Sequence, residues 1–331
     1  MSRPLGVAFV TGATGFVGRW LVPTLAARGF EVHAIARPLA DRSVVGPTEV
    51  HWHPGDVTDP ASLRAAVAAA AGRGTPRVAV HAAATISYAR GAGALQERVN
   101  VDGTRHALEA FEAAGFERRV HVGSVVAVGV APHATAVLDE DAPWDPTLEW
   151  VDYVRTKRRA DELALERGAI VVDPGAIFGP GAPHSNTTRF TERIRRSGAP
   201  PIVPPGGLAV VDVRDVAEGI ALAAERGRAG RRYLLVESNH SLRDLFGLGA
   251  ELARKRGPRG VVPRGAWLAL VRGAGWVERV VPLGALGAQG LRLLAESYRF
   301  DARRARTELG WNPRPFRSSL EETLNWLAAR A

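Results

Sequence analysis

The stretch Val10-Thr11-Gly12-Ala13-Thr14-Gly15-Phe16-Val17-Gly18 constrains this chain more than any other. An apolar run, Val7 to Val10, precedes it and reads as a buried strand. Phe16, Val17, Trp20, Leu21 and Leu25 follow at helical spacing. A glycine-rich turn therefore joins a strand to a helix. Gly12 permits the tight turn, Gly15 lets a phosphate approach the backbone, and Gly18 lets the helix pack closely on the sheet. With Thr14, Phe16 and Val17, these residues form the start of a helix whose N–H groups and positive dipole end suit an anion. Pro23 falls inside that helix and is expected to kink it.

At 331 residues the chain is long enough for one large α/β domain and a smaller lobe. It has no cysteine, which excludes disulfides and a thiol nucleophile. A strand begins within a few residues of Met1, which argues against a secretory leader. No apolar run of about 18 residues suggests a membrane span, so the expected location is the cytoplasm. The net charge of +9 is spread over single and paired Arg residues, and the only lysines are Lys157 and Lys255. No helix-turn-helix, zinc or aromatic-basic module accompanies that charge, so nucleic-acid binding is not expected. A small-molecule substrate and a phosphate-bearing cofactor are.

The second strand, Glu31 to Ala36, runs into Arg37-Pro38. Dinucleotide folds select their cofactor at this point. An acid would bind the ribose 2′-hydroxyl of NAD, whereas an Arg suits the 2′-phosphate of NADP. Arg37 favours NADP(H), with NAD(H) as the alternative and a plain surface Arg as the bland reading; Arg19 is a candidate helper. A third strand near Glu49 to His53 ends at Gly55-Asp56-Val57-Thr58, where Asp56 or Thr58 is also placed to cap the next helix. Val78 to His81 is a fourth strand, and the small residues Ala82, Ala83 and Ala84 leave room for ribose and pyrophosphate against the backbone. His81 reads as a packed histidine. It has no second ligand at metal spacing, so no metal site is expected. A helix is predicted from Asn100 to Ala114 and a fifth strand from Arg119 to Gly123, which delivers Ser124.

Tyr153 and Lys157 form Tyr-x-x-x-Lys in a segment, Trp150 to Arg167, that reads as a helix; at i and i+4 they share a face. A neighbouring ammonium, together with an oxidised nicotinamide, favours the phenolate, so the Tyr153 phenol is expected to lie below its ordinary value near 10 and to exchange a proton with a substrate oxygen. Ser124 would hydrogen-bond the same oxygen. The lysine is conspicuous in a chain that otherwise uses Arg for almost every cation, because a guanidinium does not replace a compact ammonium.

Thr-Gly-x-x-Gly-Phe-Val-Gly, Gly55-Asp56, His81-x-Ala83-Ala84, Asn100-Val101-x-Gly103-Thr104, Ser124, Tyr153 and Lys157 occur in the order and spacing of the extended short-chain dehydrogenase/reductases. The chain resembles that family, the NAD-dependent epimerase/dehydratase superfamily, over almost its whole length. Its motifs are most similar to those of 3β-hydroxysteroid dehydrogenase and dihydroflavonol-reductase-like members. The resemblance implies an α/β fold: a Rossmann-like doubly wound parallel sheet with a smaller, mostly helical C-terminal substrate lobe. It implies adenine contacts by Asp56 and Val57. It also implies a loop beside the nicotinamide at Pro174 and Ile177, where Asp173 stands in place of the usual Arg. The dinucleotide-binding part would span residues 1–181 with a return segment near 208–236. The substrate lobe would comprise 182–207 and 237–315, followed by a C-terminal helix, 316–331. Within the lobe, residues 264–295 carry Trp267, Leu270, Trp276 and Val280 among Arg and Gly, which fits a lid, a membrane-surface helix or ordinary packing.

The implied function is an NADP-dependent oxidoreductase. It would move a hydride between nicotinamide and the carbonyl or alcohol of a hydrophobic substrate, with Tyr153 as acid/base. The alternatives are a nucleotide-sugar epimerase of the same superfamily and a non-catalytic NADP-binding sensor or assembly protein. A homodimer is expected from the resemblance alone.

Overall fold

The computed structural model describes residues 5–72, 77–133, 135–284 and 287–330. Its first half alternates strand and helix: β1 (Gly6–Thr11), α1 (Gly18–Ala27), β2 (Phe30–Ala36), β3 (His51–Pro54), α2 (Pro60–Ala71), β4 (Arg77–His81), α3 (Gly93–Gln96), α4 (Gly103–Ala113), β5 (Arg118–Val122), α5 (Asp152–Glu166), β6 (Ile170–Pro174) and β7 (Ala176–Phe178). The second half continues with α6 (Asn186–Ser197), β8 (Ile202–Val203), β9 (Gly207–Asp212), α7 (Val213–Arg226), β10 (Arg232–Leu235), β11 (Ser238–Ser241), α8 (Leu242–Leu252), β12 (Gly260–Val261), α9 (Arg264–Val277), α10 (Ala288–Leu293) and α11 (Phe316–Ala328).

Seven strands form one sheet in the order β10-β6-β5-β4-β1-β2-β3, and every pairing is parallel. Every residue of β1 is buried, as a central parallel strand covered on both faces requires. Two apolar cores flank the sheet. Ala8, Val10, Leu21, Val122, Val154 and Ile220 lie in one; Val7, Phe9, Leu63, Val67, Leu108 and Phe111 lie in the other. The alternation within β1 sends successive side chains to opposite cores. The fold is thus Rossmann-like, as the resemblance implied. The chain moves outward through β2 and β3, then returns to the other side of β1 with β4. This reversal opens a crevice at the carboxyl ends of β1 and β4, the position where such sheets bind ligands.

A third, smaller core joins β7 and β9 to α8 and α11 through Phe178, Val210, Leu242, Leu245, Phe316 and Leu320. The proline-rich stretch after Gly181 contains a full helix, α6, capped by Ser185, whose Oγ accepts from Thr188 N at 3.1 Å. The C-terminal lobe, expected to be mostly helical, also contains β12, which pairs with β8. Pro23 lies inside α1 without ending it. The helix predicted to start at Asn100 starts earlier, at Gly93, and Asn100 sits in a π-helical segment, Glu97–Asp102, between α3 and α4. Among the described residues no helix is long and apolar enough to cross a membrane.

Candidate active site

The glycine turn lies at the crevice, and its three glycines do different work. Gly12 has φ +73, and a Cβ there would stand 2.6 Å from the Ala82 carbonyl carbon. At Gly18 a Cβ would stand 2.2 Å from the Gly12 oxygen. A Cβ on exposed Gly15 would meet only the Gly12 oxygen, at 3.1 Å. The first and third glycines therefore close the turn on itself and on β4, while the second leaves an open backbone surface. A cradle of this shape fits a dinucleotide pyrophosphate. Thr11 fastens it from below: its Oγ1 accepts from Ala83 N at 3.3 Å and lies 2.8 Å from His81 Nδ1. Ala82 and Ala83 thus border the same crevice as Gly12, followed by exposed Ala84. Thr14, Phe16 and Val17 are half-buried around the turn.

Two further elements close on this end of α1. Trp20 Nε1 donates to the Pro180 carbonyl at 3.1 Å, which seats the loop after β7 against the glycine turn. Pro174 ends β6, and Ile177 lies in β7, where its carbonyl accepts from Thr187 Oγ1 at 2.6 Å. The Arg19 Nε is buried without a hydrogen-bond partner. Arg37 is exposed at the end of β2. The same loop carries an acid, Asp41, but its Oδ1 is occupied by Ser43 N at 3.0 Å and Ser43 Oγ at 2.6 Å. Asp56 holds its own turn through Thr58 N at 2.9 Å, and Asp59, not Asp56 or Thr58, caps α2. Val57 is buried against Gly103.

Across the crevice, β5 ends at Ser124 and α5 presents Tyr153 and Lys157, both buried. The Ser124 hydroxyl lies beside the Tyr153 phenol and favours its ionised form. Asn100 pins the neighbouring loop at both ends of its amide: Oδ1 accepts from Thr85 N at 2.8 Å, and Nδ2 donates to Thr85 O at 3.0 Å. Its Nδ2 also lies 3.2 Å from Thr156 Oγ1 on α5.

Without cofactor, the Tyr153 phenol lies above its ordinary value. Burial pushes it up to about 12, opposed by the neighbouring Ser124 hydroxyl and assisted by the charges of Asp161 and Asp173. The ammonium is directed elsewhere: Lys157 Nζ donates to the Val122 carbonyl at 2.8 Å. Burial lowers the Lys157 ammonium, against the attraction of Asp161 and Asp173. Behind it lies a buried polar ladder. His121 Nε2 is 3.2 Å from Asp161, and Arg232 reaches Asp161 at 3.3 Å and Asp173 at 2.9 Å. Burial, then the Asp161 charge, holds the Asp173 carboxyl well above the usual carboxylate range. Asp173 occupies the place of the family's Arg, and a guanidinium nevertheless reaches it from β10. His81 is fully buried, its ring 5.6 Å from that of His121, and burial pushes it well below its ordinary value. It is a packed, neutral histidine.

Two residues at the site had no signal beyond the scarcity of their type. The chain has four tyrosines, and three of them meet here. The Tyr88 ring stands edge-on to Tyr153 at 5.9 Å, and the Tyr298 hydroxyl is buried without a hydrogen-bond partner. Burial pushes both phenols up, and the charges of Tyr88 and Tyr153 act on Tyr298. The C-terminal lobe is tied to the same place: Gln289 on α10 accepts from Asp152 N at 2.9 Å and donates to Asp152 Oδ2 at 2.8 Å, at the first residue of α5.

Residues 8–235 match the model of the NAD dependent epimerase/dehydratase family. The chain is 30% identical to "Putative dihydroflavonol 4-reductase" of Synechocystis sp., with 96% of this chain and 93% of the relative covered. It is 31% identical to "Sterol demethylase protein B" of Methylococcus capsulatus, with 97% and 98% covered. Among solved structures, that of gox2253 superposes with a TM-score of 0.84 at 29% identity, covering 98% of each chain. With its glycine cradle and its Ser124, Tyr153 and Lys157 gathered at one crevice, the chain belongs to the NAD dependent epimerase/dehydratase family, the extended short-chain dehydrogenase/reductases, and is an NAD(P)-dependent oxidoreductase.

Proposed function

We propose that the protein is an NADP-dependent reductase that converts a carbonyl of a hydrophobic substrate to an alcohol, with Tyr153 as the proton donor. The observation that carries this reading is the gathering of Ser124 with buried Tyr153 and Lys157 beside the glycine cradle. Bound nicotinamide supplies the hydride. Gly12, Thr14, Gly15, Phe16, Val17 and Gly18 hold the pyrophosphate, with Ala82, Ala83, Ala84, Pro174 and Ile177 along the nicotinamide half and Asp56 and Val57 at the adenine. Ser124 Oγ donates to the substrate oxygen and orients it. The Tyr153 hydroxyl gives its proton to that oxygen as negative charge develops there. Lys157 binds ribose hydroxyls and, once turned toward the phenol, lowers it from the high value that burial imposes.

Selection of NADP rests on three features. No acid follows β2 directly, Arg37 is exposed at its end, and Arg19 keeps a buried, unpartnered Nε at the start of α1. A hydrophobic substrate suits Tyr88 and Tyr298 around Tyr153 and the apolar surface of Trp267, Ala274, Val277, Leu283 and Leu291 on the lobe that reaches α5. Residues 182–207 and 237–315 form the substrate side of the molecule in this reading. The homodimer is tested by light scattering. The function is tested by following nicotinamide absorbance with NADPH or NADH and a panel of aryl ketones, aldehydes, ring ketones and acyl thioesters. NADPH-dependent reduction of an apolar carbonyl is expected; preference for NADH would overturn the role of Arg37.

A further inference from the structure

The pairing of β2 with β3 assembles a second polar cluster away from the crevice. The register sets His33 opposite His51 and Ile35 opposite His53. Strand alternation then puts Glu31, His33, His51 and His53 on one face of the sheet edge. His33 is buried, and its ring stacks on those of His51 at 4.6 Å and His53 at 5.3 Å. Its Nε2 lies 3.0 Å from Glu31 Oε1, and the His51 Nε2 lies 3.3 Å from the same oxygen. One ligand atom from each of Glu31, His33 and His51 falls within 4.8 Å of the other two. The His51 and Glu31 side chains are 38% and 22% exposed, so the cluster opens to solvent.

We infer that Glu31, His33 and His51 form a binding site for a divalent transition-metal ion of the zinc class, with His53 orienting His33. Two imidazoles and a carboxylate are the donor set such ions prefer, and three protein ligands leave a position for water. Ligand atoms bonded at about 2.0–2.2 Å to a tetrahedral ion stand about 3.3–3.6 Å apart, close to the 3.0 and 3.3 Å between the Glu31 oxygen and the two histidine nitrogens. The remaining ring nitrogen fits too. The His33 Nδ1 lies 3.0 Å from His53 Nε2. With Nε2 on a metal, the His33 proton sits on Nδ1 and is donated to His53, the supporting bond that metal-bound histidines usually have. The competing arrangement is an ion-free one in which both imidazoles donate to Glu31.

The expectation of no metal site came from His81 alone. This cluster is assembled from two strands by register. The ion would fasten β3, a four-residue edge strand, to β2, whose far end carries Arg37.

The test uses tag-free full-length protein, stripped with EDTA and titrated with Zn²⁺ by calorimetry and with Co²⁺ by visible absorption. One ion per chain is expected, with a Co²⁺ ligand-field band and a thermal midpoint raised by a few degrees, roughly the effect of a tight ligand. His51→Ala and Glu31→Gln should each weaken Zn²⁺ at least about 10-fold, and His53→Ala by about 10–100-fold. Because His51 and Glu31 are partly exposed, the metal-free variants should melt close to the parent protein. Absence of sub-millimolar Zn²⁺ binding, or equal affinity in the parent, His51→Ala and Glu31→Gln, overturns the site.

Discussion

Glycines in two regions of this molecule mean opposite things. At the β1–α1 turn an added methyl group at Gly12 or Gly18 would run into backbone at 2.6 or 2.2 Å. In α9, Gly265 and Gly273 would meet nothing within 4 Å. The side chains contrast as well. The crevice buries Tyr153 and Lys157 almost completely, while α9 and the turn after it leave Trp276 69% and Val280 86% exposed. In the proposed reading, one region encodes its role in backbone shape, which tolerates few residues. The other encodes it in side-chain contour, which many sequences satisfy.

The sharpest way to break this contrast is to add one methyl group to each region. Gly12→Ala, with φ +73 and a backbone clash, should cost roughly 2–4 kcal/mol and abolish measurable cofactor binding. Denaturant unfolding and cofactor-fluorescence titration check it. Tolerance of alanine there would remove the steric argument for the cradle.

Alkaline pH probes the buried site. Between pH 10 and 12 the unfolded Tyr153 phenol has lost its proton while the folded one, pushed up to about 12, still holds it. Its contribution is fully present below pH 10 and is lost as pH rises through 12, in all about 2–3 kcal/mol. Tyr153→Phe should therefore lose less stability than the parent over this window in parallel melts. Tyr88 and Tyr298 titrate in both proteins, and loss of the Tyr153 charge eases both, which shifts the comparison in the same direction.

Arg37→Ala removes one charge-assisted contact and should weaken NADPH by about 10–100-fold while leaving NADH within about 3-fold. Equal losses for both cofactors would move the 2′-phosphate contact to Arg19. The smallest effect belongs to the second region. Gly273→Ala, on the exposed face of α9, should stabilise the protein by about 0.5–1 kcal/mol through helix propensity alone, seen as a modest rise in melting temperature. A loss of stability there would mean that α9 is packed as tightly as the cradle.

The same distinction explains what was legible beforehand. The glycine turn, Ser124, Tyr153 and Lys157 could be read because their chemistry is fixed by residue type and short spacing. Asn100 was recognised but misplaced, because an isolated helix start and a π-helical bulge share the same local pattern. Arg232 meeting Asp173, Tyr298 meeting Tyr88, and His33 meeting His51 depend on which strands and loops become neighbours. No local periodicity carries that information. The state of Tyr153 in the cofactor-free protein was not legible for a related reason. Helical spacing places Lys157 one turn away, but it does not reveal that the Val122 carbonyl takes the ammonium or that burial dominates.

The central claim is that Tyr153 donates the proton in a reduction for which the cradle holds the cofactor. The direct measurement is turnover of an apolar carbonyl by Tyr153→Phe beside the parent, with NADPH affinity measured on both. A fall in kcat of about 10²–10⁴-fold with NADPH affinity unchanged is the predicted result. Turnover retained in Tyr153→Phe, or a parent protein that binds cofactor and inverts a nucleotide sugar without net oxidation of NADPH, would contradict it.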